Sequence, residues 1–501
     1  MDSVRKIWNC FLADIQRRRT AHAKDRYQNR IGCRPRLRNT TNLGRPLTRP
    51  LWHDSVSGHA VNRGCLDRDS QFDIAIIGGG FSGLWTAYYL KMFAPDSRIA
   101  VFEKHQIGFG ASSRNGGWCS GFLPTSLREF EKSDGRDAAI AIYRNGFQTL
   151  DEIERVITEF NIDCDYHRGG TICGATNSVQ KSRIEAELDQ FGEFGFGDEF
   201  YRKLSKHEFE TKISLENVLA ATYTPYCAAL QPTKLVQGLA RVVEDLGVKI
   251  FENTHVSEYA SRRLYANRFR CSVDVIVRAT EGFTARLKHH RRTLAPLYSY
   301  MVATAPLSEN QIAKLGWSNR ETYHDARNMI IYAQLTKDRR IAFGGRGAPY
   351  HFASRIKPVY DTHEAIHDKI IESMKTVFSL DEDVEVTHRW GGPLGVPRNW
   401  RPSVLFDRFS GLAALGGYVG DGVAASNLAA RTLAHMIVDD DHPLTKLPWV
   451  NCQSKKWEVE PFRFIGINGL LKLSEAIDRH EAKTNQPDRM RSYILDKFLG
   501  E

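Results

Sequence analysis

Residues 72–83, which read FDIAIIGGGFSG, decide the fold of this chain. The apolar run predicts a buried parallel strand that stops at Gly78, and residues 84–92 predict a helix. Gly78, Gly80 and Gly83 have G-x-G-x-x-G spacing, which permits a tight turn, close approach of the backbone to a pyrophosphate and close helix–strand packing. Free N–H groups at the start of the helix favour an anion there. The segment therefore predicts a dinucleotide site.

The stretch that follows contains an acidic residue and a second glycine-rich turn. Residues 98–102 predict a second strand, which ends in Glu103, 20 positions beyond Gly83. A hydrogen-bond acceptor at this point suits the diol of a ribose. The turn at 108–117 reads GFGASSRNGG, and a nicotinamide-binding fold does not need it. A flavin does, because its broad ring system must lie against backbone that carries no side chains.

A third glycine-rich turn lies far downstream. Residues 411–415 predict a strand, 416–422 (GGYVGDG) a turn and 423–438 a helix. The positive end of this helix suits the electron-rich edge of a reduced flavin. An ordinary β–α turn is the alternative, but the two preceding features favour the flavin interpretation. We therefore predict that the cofactor is FAD.

Composition is consistent with a large enzyme. The chain has 501 residues and 42% hydrophobic content, enough for a large core and two domains. Its nine cysteines form no C-x-x-C pair and its histidines no H-E-x-x-H motif, which predicts reduced thiols and no metal site. No apolar run approaches the ~20 residues of a spanning helix. We expect a soluble, cytoplasmic protein without a transmembrane segment.

Positive charge is concentrated at the N-terminus. Residues 1–70 contain 15 Lys and Arg against 6 Asp, whereas the whole chain has a net charge of +10. The run Arg17-Arg18-Arg19 is compatible with a nucleic-acid or membrane-surface arm, an organelle transit peptide or a disordered extension. We prefer the disordered extension. Nucleic acid is not expected as a partner of the body, which has no basic–aromatic stripe.

These motifs resemble the D-amino-acid-oxidase-like (DAO) flavoprotein oxidoreductases, which include glycine oxidase, sarcosine oxidase and γ-glutamylputrescine oxidase. The resemblance covers about residues 45–450. It implies an α/β fold, with a Rossmann-like FAD-binding domain built from discontinuous segments and a substrate domain with a mixed or antiparallel β-sheet. The runs most similar to the γ-glutamylputrescine oxidase branch are 110–117, 340–347 and 389–392.

The resemblance divides the chain into segments of two interleaved domains. The predicted segments are 1–44 for the basic extension, 45–165, 226–292 and 386–450 for the FAD-binding domain, 166–225 and 293–385 for the substrate domain, and 451–501 for a C-terminal helical tail.

The resemblance also implies which residues bind FAD. Val256 would make a backbone contact to adenine, and Ala279 and Thr280 would end a strand near the cofactor. A cysteine for covalent attachment is missing from the region 397–401, so we expect FAD to bind non-covalently. The predicted FAD-binding residues are Gly78, Gly80, Phe81, Ser82, Gly83, Glu103, Lys104, Ser112, Ser113, Arg114, Asn115, Gly116, Gly117, Val256, Ala279, Thr280, Gly420, Asp421, Gly422 and Val423.

Candidates for the substrate pocket lie on predicted strands and turns of the second domain. No catalytic side chain is assigned, because the flavin carries the chemistry. Tyr300 and Tyr332, with Tyr298, could wall the cavity or belong to the core. Arg346 and Arg398, with Arg401, could bind an anionic substrate group, since a guanidinium matches a carboxylate. Each arginine could equally form a structural ion pair.

The function implied is oxidation of the C–N bond of a small amine or amino acid to an imine, with electrons passing to dioxygen. Two departures from the family bear on this. Glu281 stands where many members have asparagine, and Ala342 aligns with the oxygen-activating lysine of sarcosine oxidases. A dehydrogenase of the same fold with another electron acceptor therefore stays open, as does a tRNA-modifying flavoenzyme, which the basic N-terminus would suit.

Overall fold

The computed structural model describes residues 48–56, 63–317, 319–345, 347, 349–381, 384–438 and 441–499. The predicted basic extension, 1–44, and Arg346 lie outside the described residues, so nothing is concluded about their structure. The described residues belong to one compact unit, Pro46–Glu501.

The described residues contain eighteen strands and eleven α-helices. The strands are β1 (Ser70–Ile77), β2 (Ile99–Phe102), β3 (Trp118–Ser120), β4 (Thr171–Ala175), β5 (Arg202–Leu204), β6 (Ala220–Thr224), β7 (Cys227–Ala229), β8 (Lys249–Phe251), β9 (Val256–Ala260), β10 (Arg263–Ala266), β11 (Phe269–Arg278), β12 (Ala295–Thr304), β13 (Thr322–Asp325), β14 (Ile331–Leu335), β15 (Ile341–Gly345), β16 (Val386–Val396), β17 (Ser403–Asp407) and β18 (Leu412–Gly416).

The helices alternate with the strands. They are α1 (Phe81–Phe93), α2 (Leu127–Asp134), α3 (Arg136–Glu159), α4 (Ser178–Glu193), α5 (Lys206–Lys212), α6 (Pro232–Asp245), α7 (Glu309–Leu315), α8 (Glu364–Val377), α9 (Gly422–Val438), α10 (Phe462–Thr484) and α11 (Arg489–Leu499). Short 3₁₀ turns lie at Leu51–Val56, Ala111–Ser113, Glu281–Arg286, Phe352–Ser354, Pro358–Tyr360 and Pro443–Lys446.

The first sheet has the order β17-β18-β11-β1-β2-β8, with the hairpin of β9 and β10 attached to β11. The pairs β18–β11, β11–β1, β1–β2 and β2–β8 are parallel. Helices α1 and α9 pack side by side against this sheet, and both are apolar over most of their surface, as expected for helices covered by a sheet and by other helices. The arrangement agrees with the predicted Rossmann-like fold.

The second sheet has the order β16-β12-β15-β14-β13-β4-β6-β5. Its pairs are antiparallel except β13–β4, which is parallel. It is therefore the mixed sheet expected for the substrate domain. Strand β16 pairs with β12 along Ala295–Thr304, so it belongs to this sheet although we assigned 386–450 to the FAD-binding domain. A boundary after Val396 fits the sheet topology.

Separate apolar cores support the two sheets. The first lies between the parallel strands and α1, α3, α6 and α9, and includes the fully buried Trp85 and Leu428. The second lies under the mixed sheet and includes Trp317 and Phe343. The C-terminal residues include the helices α10 and α11, and Asp478 of α10 accepts hydrogen bonds from the backbone N–H groups of Asn328 and Met329. Among the described helices, none is long and apolar enough to cross a bilayer.

Candidate functional site

The glycine turn after β1 leaves no room for side chains. Gly78 has a φ of +114°, and a Cβ there would lie 2.4 Å from the carbonyl oxygen of Ala279. A Cβ at Gly83 would lie 2.0 Å from the carbonyl oxygen of Gly78. Because both neighbours are backbone atoms, neither can move aside easily. The turn therefore requires glycine at 78 and 83.

The first turn of α1 is open to an anion. Gly80 caps the helix without a side-chain hydrogen bond, and the first turn contains no acidic residue. The backbone N–H of Phe81 donates to Oγ of Ser112 at 2.9 Å. A Cβ at Gly80 would meet only Ser112, at 2.7 Å from its Oγ. This glycine therefore keeps the helix end and Ser112 close together, as binding of a diphosphate requires.

Glu103 lies at the end of β2 beside the glycine turn. Its carboxylate accepts hydrogen bonds from the backbone N–H groups of Gly79 at 2.9 Å and His105 at 2.8 Å. Burial raises the pKa of this carboxyl group, while the two backbone donors act in the opposite direction. The bonds fix the carboxylate at the mouth of the turn, where an acceptor for a ribose is expected.

These features surround a first cavity of about 1280 Å³, counting the space open to solvent. Its walls combine the turns after β1 and β2 with the ends of β11 and β18. The predicted FAD-binding residues that line it are Gly78, Gly80, Phe81, Ser82, Glu103, Lys104, Ser112, Asn115, Val256, Ala279, Thr280, Gly420, Gly422 and Val423.

The other predicted FAD-binding residues lie elsewhere. Arg114, Gly116 and Asp421 line a second cavity next to the first. Gly83, Ser113 and Gly117 line neither of the two cavities. Ser113 is buried, and a Cβ at Gly117 would lie 2.0 Å from Nε2 of Gln334. The assignment of these three residues to FAD binding stays a prediction.

Glu281 was noted as a departure from the family, but its structural role was not anticipated. Its carboxylate accepts hydrogen bonds from the backbone N–H groups of Gly417 at 3.0 Å and Tyr418 at 3.2 Å. It therefore ties the turn after β18 to the end of β11, and it lines the first cavity. Burial raises its pKa to about 7. A carboxylate reaches both amides, whereas one asparagine carbonyl is a single acceptor.

The residues of the first cavity fit FAD. Glycine backbone at 78–80, at 420 and at 422, a helix that begins at a glycine and a fixed acidic acceptor are groups that a dinucleotide site requires. None of the residues lining this cavity is a cysteine. Among the described residues, no group of three or more His, Cys, Asp or Glu could hold a metal ion.

The second cavity lies against the face of the mixed sheet opposite its apolar core, since Ser299 and Met301 line the cavity whereas Tyr298 and Tyr300 belong to the core. It has a volume of about 1510 Å³, counting its opening. Residues of β4, β6, β12, β13, β14 and β16 line it, together with residues 118–124 and parts of α4 and the turn before α9. Five residues line both cavities, which are therefore adjacent: Ala111, Asn115, Leu394, Gly420 and Val423.

Only one of the three candidate tyrosines lines the second cavity. Tyr332 does so, and its hydroxyl forms a hydrogen bond of 2.8 Å with Oγ of Ser299. Tyr300 is fully buried and donates to the backbone carbonyl of Tyr360, and Tyr298 is buried on the same side of β12. Of the two roles left open for Tyr298 and Tyr300, the structure supports packing, because both belong to the core of the mixed sheet.

Of the arginine candidates, the two that the structure describes, Arg398 and Arg401, do not line the second cavity. Nε of Arg398 donates to Glu458 at 2.9 Å, and its guanidinium lies over the ring of Trp457. Arg401 is buried and pairs with Asp134 at 2.6 Å. Both form the structural ion pairs that were the alternative, and Arg346 lies outside the described residues. Of the two roles left open for Arg398 and Arg401, these contacts support the structural ion pair.

Several residues of the second cavity were missed from the sequence. They include Trp118, His324 and Glu187, which come from a strand of the small β3–β7 sheet, from β13 and from α4. His324 and Tyr332 both lie near the ring of Trp118, at 5.8 and 6.2 Å between ring centroids. Ala342 is buried in β15 and lines neither cavity.

Comparison with known proteins identifies the class. Residues 73–436 match the family described as DAO: FAD dependent oxidoreductase. The chain belongs to this family, and the resemblance stated from the motifs is confirmed. It is an FAD-dependent oxidoreductase of the amine and amino-acid oxidase type.

Two relatives and one solved structure illustrate the similarity. The chain is 28% identical over 384 residues to a probable oxidoreductase, OrdL, of Haemophilus influenzae, covering 74% of this chain and 84% of that one. It is 25% identical over 382 residues to the gamma-glutamylputrescine oxidoreductase of Escherichia coli, covering 75% and 85%. The fold is similar to that of L-proline dehydrogenase from P. horikoshii, with a TM-score of 0.61, 17% identity and coverage of 76% and 96%.

Proposed function

We propose that this protein oxidises the C–N bond of a small primary or secondary amine or amino acid to an imine, which water converts to an aldehyde or keto acid. The observation that carries the proposal is that the two cavities adjoin and share five lining residues. A substrate in the second cavity would meet a cofactor in the first at their shared wall, which includes Asn115, Leu394 and Gly420. Similarity to the gamma-glutamylputrescine oxidoreductase supports an amine substrate.

The side chains of the shared wall would position the amine and remove it from water. FAD, when bound, supplies the acceptor for the hydride that leaves the substrate carbon. Leu394, Val423 and Ala111 are apolar, and an apolar wall excludes water and disfavours the ammonium form of the amine. A neutral amine is the form that can lose hydride from its neighbouring carbon. The wall therefore contributes by positioning and desolvation, without a dedicated base.

We propose that FAD binds non-covalently and contacts the predicted residues that line the first cavity. The absence of cysteine from its lining supports this proposal. Acid precipitation of the purified protein should release all the flavin into the supernatant, where its absorbance near 450 nm can be measured. Flavin that stays in the washed pellet would overturn the non-covalent assignment.

We propose dioxygen as the electron acceptor. A dehydrogenase that reduces another acceptor is the second candidate, because Ala342 replaces the lysine of sarcosine oxidases. Stopped-flow mixing of the reduced protein with air-saturated buffer distinguishes the two. Reoxidation within seconds, with one hydrogen peroxide formed per flavin, is expected for an oxidase. Reoxidation slower than turnover with an artificial acceptor would assign the protein to the dehydrogenases.

We also propose that the protein acts in the cytoplasm. The described cysteines, including Cys119, Cys164 and Cys227, form no disulfide bond, and unpaired thiols are typical of reducing compartments. Fractionation of cells that express a C-terminally tagged chain should place the protein with cytosolic markers, and recovery in another fraction would contradict this.

An anaerobic screen tests the reaction itself. Purified protein is mixed with amines and amino acids under argon, and loss of the 450-nm flavin absorbance is recorded. Primary or secondary amines should bleach the flavin, and the matching aldehyde or keto acid should appear in equal amount. Bleaching by hydroxy acids alone would overturn the proposal.

A further inference from the structure

The second cavity offers little positive charge to a substrate. Arg114 is the one Lys or Arg among the described residues that line it. The guanidinium of Arg114 donates to Asp361 at 2.9 Å and to the backbone carbonyl of Gly391 at 2.9 Å. Its charge is therefore already balanced by Asp361. The cavity also has two acidic side chains in its lining, Glu187 and Asp421.

Glu187 lies in this cavity with a single polar partner. The hydroxyl of the buried Tyr201 donates to its Oε2 at 3.0 Å and is 2.8 Å from Oγ1 of Thr222. Within the described part of the chain, Glu187 forms no salt bridge. By contrast, Glu185 and Glu193 of the same helix pair with Lys203 and Arg128 at the surface.

The surroundings of Glu187 disfavour its charge unless a cation is present. Its side chain lines the cavity and keeps contact with solvent, and desolvation by the surrounding protein raises the pKa of the carboxyl group. The neutral donor Tyr201 only partly offsets this effect. A cationic group within hydrogen-bond distance would favour the ionised carboxylate, as opposite charges do in sites of low polarity.

The cavity separates Glu187 from the cofactor side. Leu394 of β16 lies in the wall shared with the first cavity, whereas α4, which carries Glu187, packs on β4 and β6. Five strand intervals separate β16 from β4 in the sheet, so the two ends of the cavity lie over different parts of the sheet. The lining of the second cavity also includes apolar side chains, among them Trp118 and Phe122.

We propose that Glu187 is a specificity-determining residue, which binds a second cationic group of the substrate at the end remote from the oxidised C–N bond. The substrate is then a diamine or polyamine derivative, with a methylene chain along the apolar lining. This inference rests on the proposed amine oxidation and adds the chemistry of the far end. It replaces the expectation of an anionic substrate group bound by arginine.

The test compares amines that differ only in their far end. For chains of three to ten carbons, the 1-aminoalkane, the α,ω-diamine and the ω-aminocarboxylate are mixed anaerobically with the FAD-loaded protein. At the best chain length, the diamine should reduce the flavin at least tenfold more efficiently, as kred/Kd, than either of the others. Equal efficiency of the monoamine and the diamine at every length would overturn the proposal.

The variant Glu187→Gln keeps the size of the side chain and removes its charge. It should lose the preference for the diamine, while kred/Kd for the monoamine stays within threefold of the wild type. Glu185→Gln is the matched control, since Glu185 lies on the same helix and pairs with Lys203; it should keep the preference. A Glu187→Gln protein that binds FAD normally and still prefers the diamine would refute the assignment.

A binding measurement separates this inference from the proposed function. If no amine bleaches the flavin, the proposed oxidation fails, and the cation site is tested by the melting temperature of the FAD-loaded protein with and without diamine. The diamine should raise the melting temperature of the wild type but not that of Glu187→Gln. The monoamine should have little effect on either. No rise in the wild type at millimolar diamine would overturn the cation site.

Discussion

The pH dependence of stability should depend on Glu281, which ties the turn after β18 to the end of β11. Burial raises its pKa from 4.5 to about 7. The folded protein therefore holds this proton more tightly than the unfolded chain, so the stabilisation is complete below about pH 4.5 and is lost as the pH rises through about 7. A shift of roughly 2.5 units corresponds to about 3 kcal/mol at ~1.36 kcal/mol per unit.

The variant Glu281→Gln cannot ionise and should lack this dependence. Unfolding entropy of ~2.1 cal/mol/K per residue gives about 0.95 kcal/mol/K for roughly 450 residues, so about 3 kcal/mol corresponds to about 3 °C in melting temperature. Calorimetry of the FAD-loaded proteins between about pH 5 and about pH 8 measures the difference, variant minus wild type. This difference in melting temperature should increase by about 3 °C as the pH rises over this range. The variant should also be less stable by a constant amount at every pH, because its hydrogen bonds to Gly417 and Tyr418 are weaker.

The control is Glu258→Gln, because Glu258 is exposed and pairs with Lys288 at 3.3 Å. Its difference from the wild type should not vary with pH beyond the error of the measurement. Parallel pH curves for the wild type and Glu281→Gln would refute the argument, and so would a difference that decreases with pH.

Four further substitutions test the site. Gly83→Ala should lower the melting temperature by about 1–3 °C and reduce the flavin content measured by absorbance, because overpacking against a backbone carbonyl costs about 1–3 kcal/mol. Glu103→Ala should weaken FAD binding about 10- to 150-fold in a fluorescence titration of the apoprotein, since it removes hydrogen bonds to a charged acceptor worth ~1.5–3 kcal/mol. Arg398→Ala should leave kcat/KM within threefold, as this residue pairs with Glu458 at the surface; a tenfold loss would contradict its placement. Tyr332→Phe should raise KM for the amine while FAD stays bound, and unchanged steady-state constants would show that this hydroxyl is dispensable.

The cofactor site was largely visible in the sequence because its signals are local. A strand, a glycine turn and a helix lie within residues 70–93, and Glu103 follows at the end of the next strand. Parallel strands bring such turns to one edge of the sheet. Fourteen of the predicted residues consequently line one cavity, although they come from segments as distant as Gly78 and Val423.

The substrate side could not be predicted in the same way, as β12 illustrates. Side chains alternate between the two faces of a strand, so a shift of one residue exchanges them. Ser299 and Met301 line the second cavity, whereas Tyr298 and Tyr300 lie in the core on the other face. The sequence indicated the strand and the aromatic residues, but the face toward the cavity is set by pairing with β15 and β16.

The roles of Arg398 and Glu187 could not be predicted from the sequence either, because the partner of a charged side chain is set by the fold. The partner of Arg398 is Glu458, 60 residues further along the chain, so no local pattern distinguishes an ion pair from a substrate contact. Helix α4 carries several acidic residues, and which of them faces the cavity depends on how the helix packs on β4 and β6.

The residues of the cofactor site are set by local turns, whereas those of the second cavity are set by long-range packing. The turns that fit FAD also complete the first sheet, so a substitution at Gly78 or Gly83 would disturb the fold and the cofactor site together. Glu187 is held by one hydrogen bond from Tyr201 and lies on a helix outside the Rossmann-like sheet. Its charge can change without disturbing the cofactor site. The proposed cation site at Glu187 can therefore be tested by substitution without loss of FAD, which a substitution at Gly78 or Gly83 would not allow.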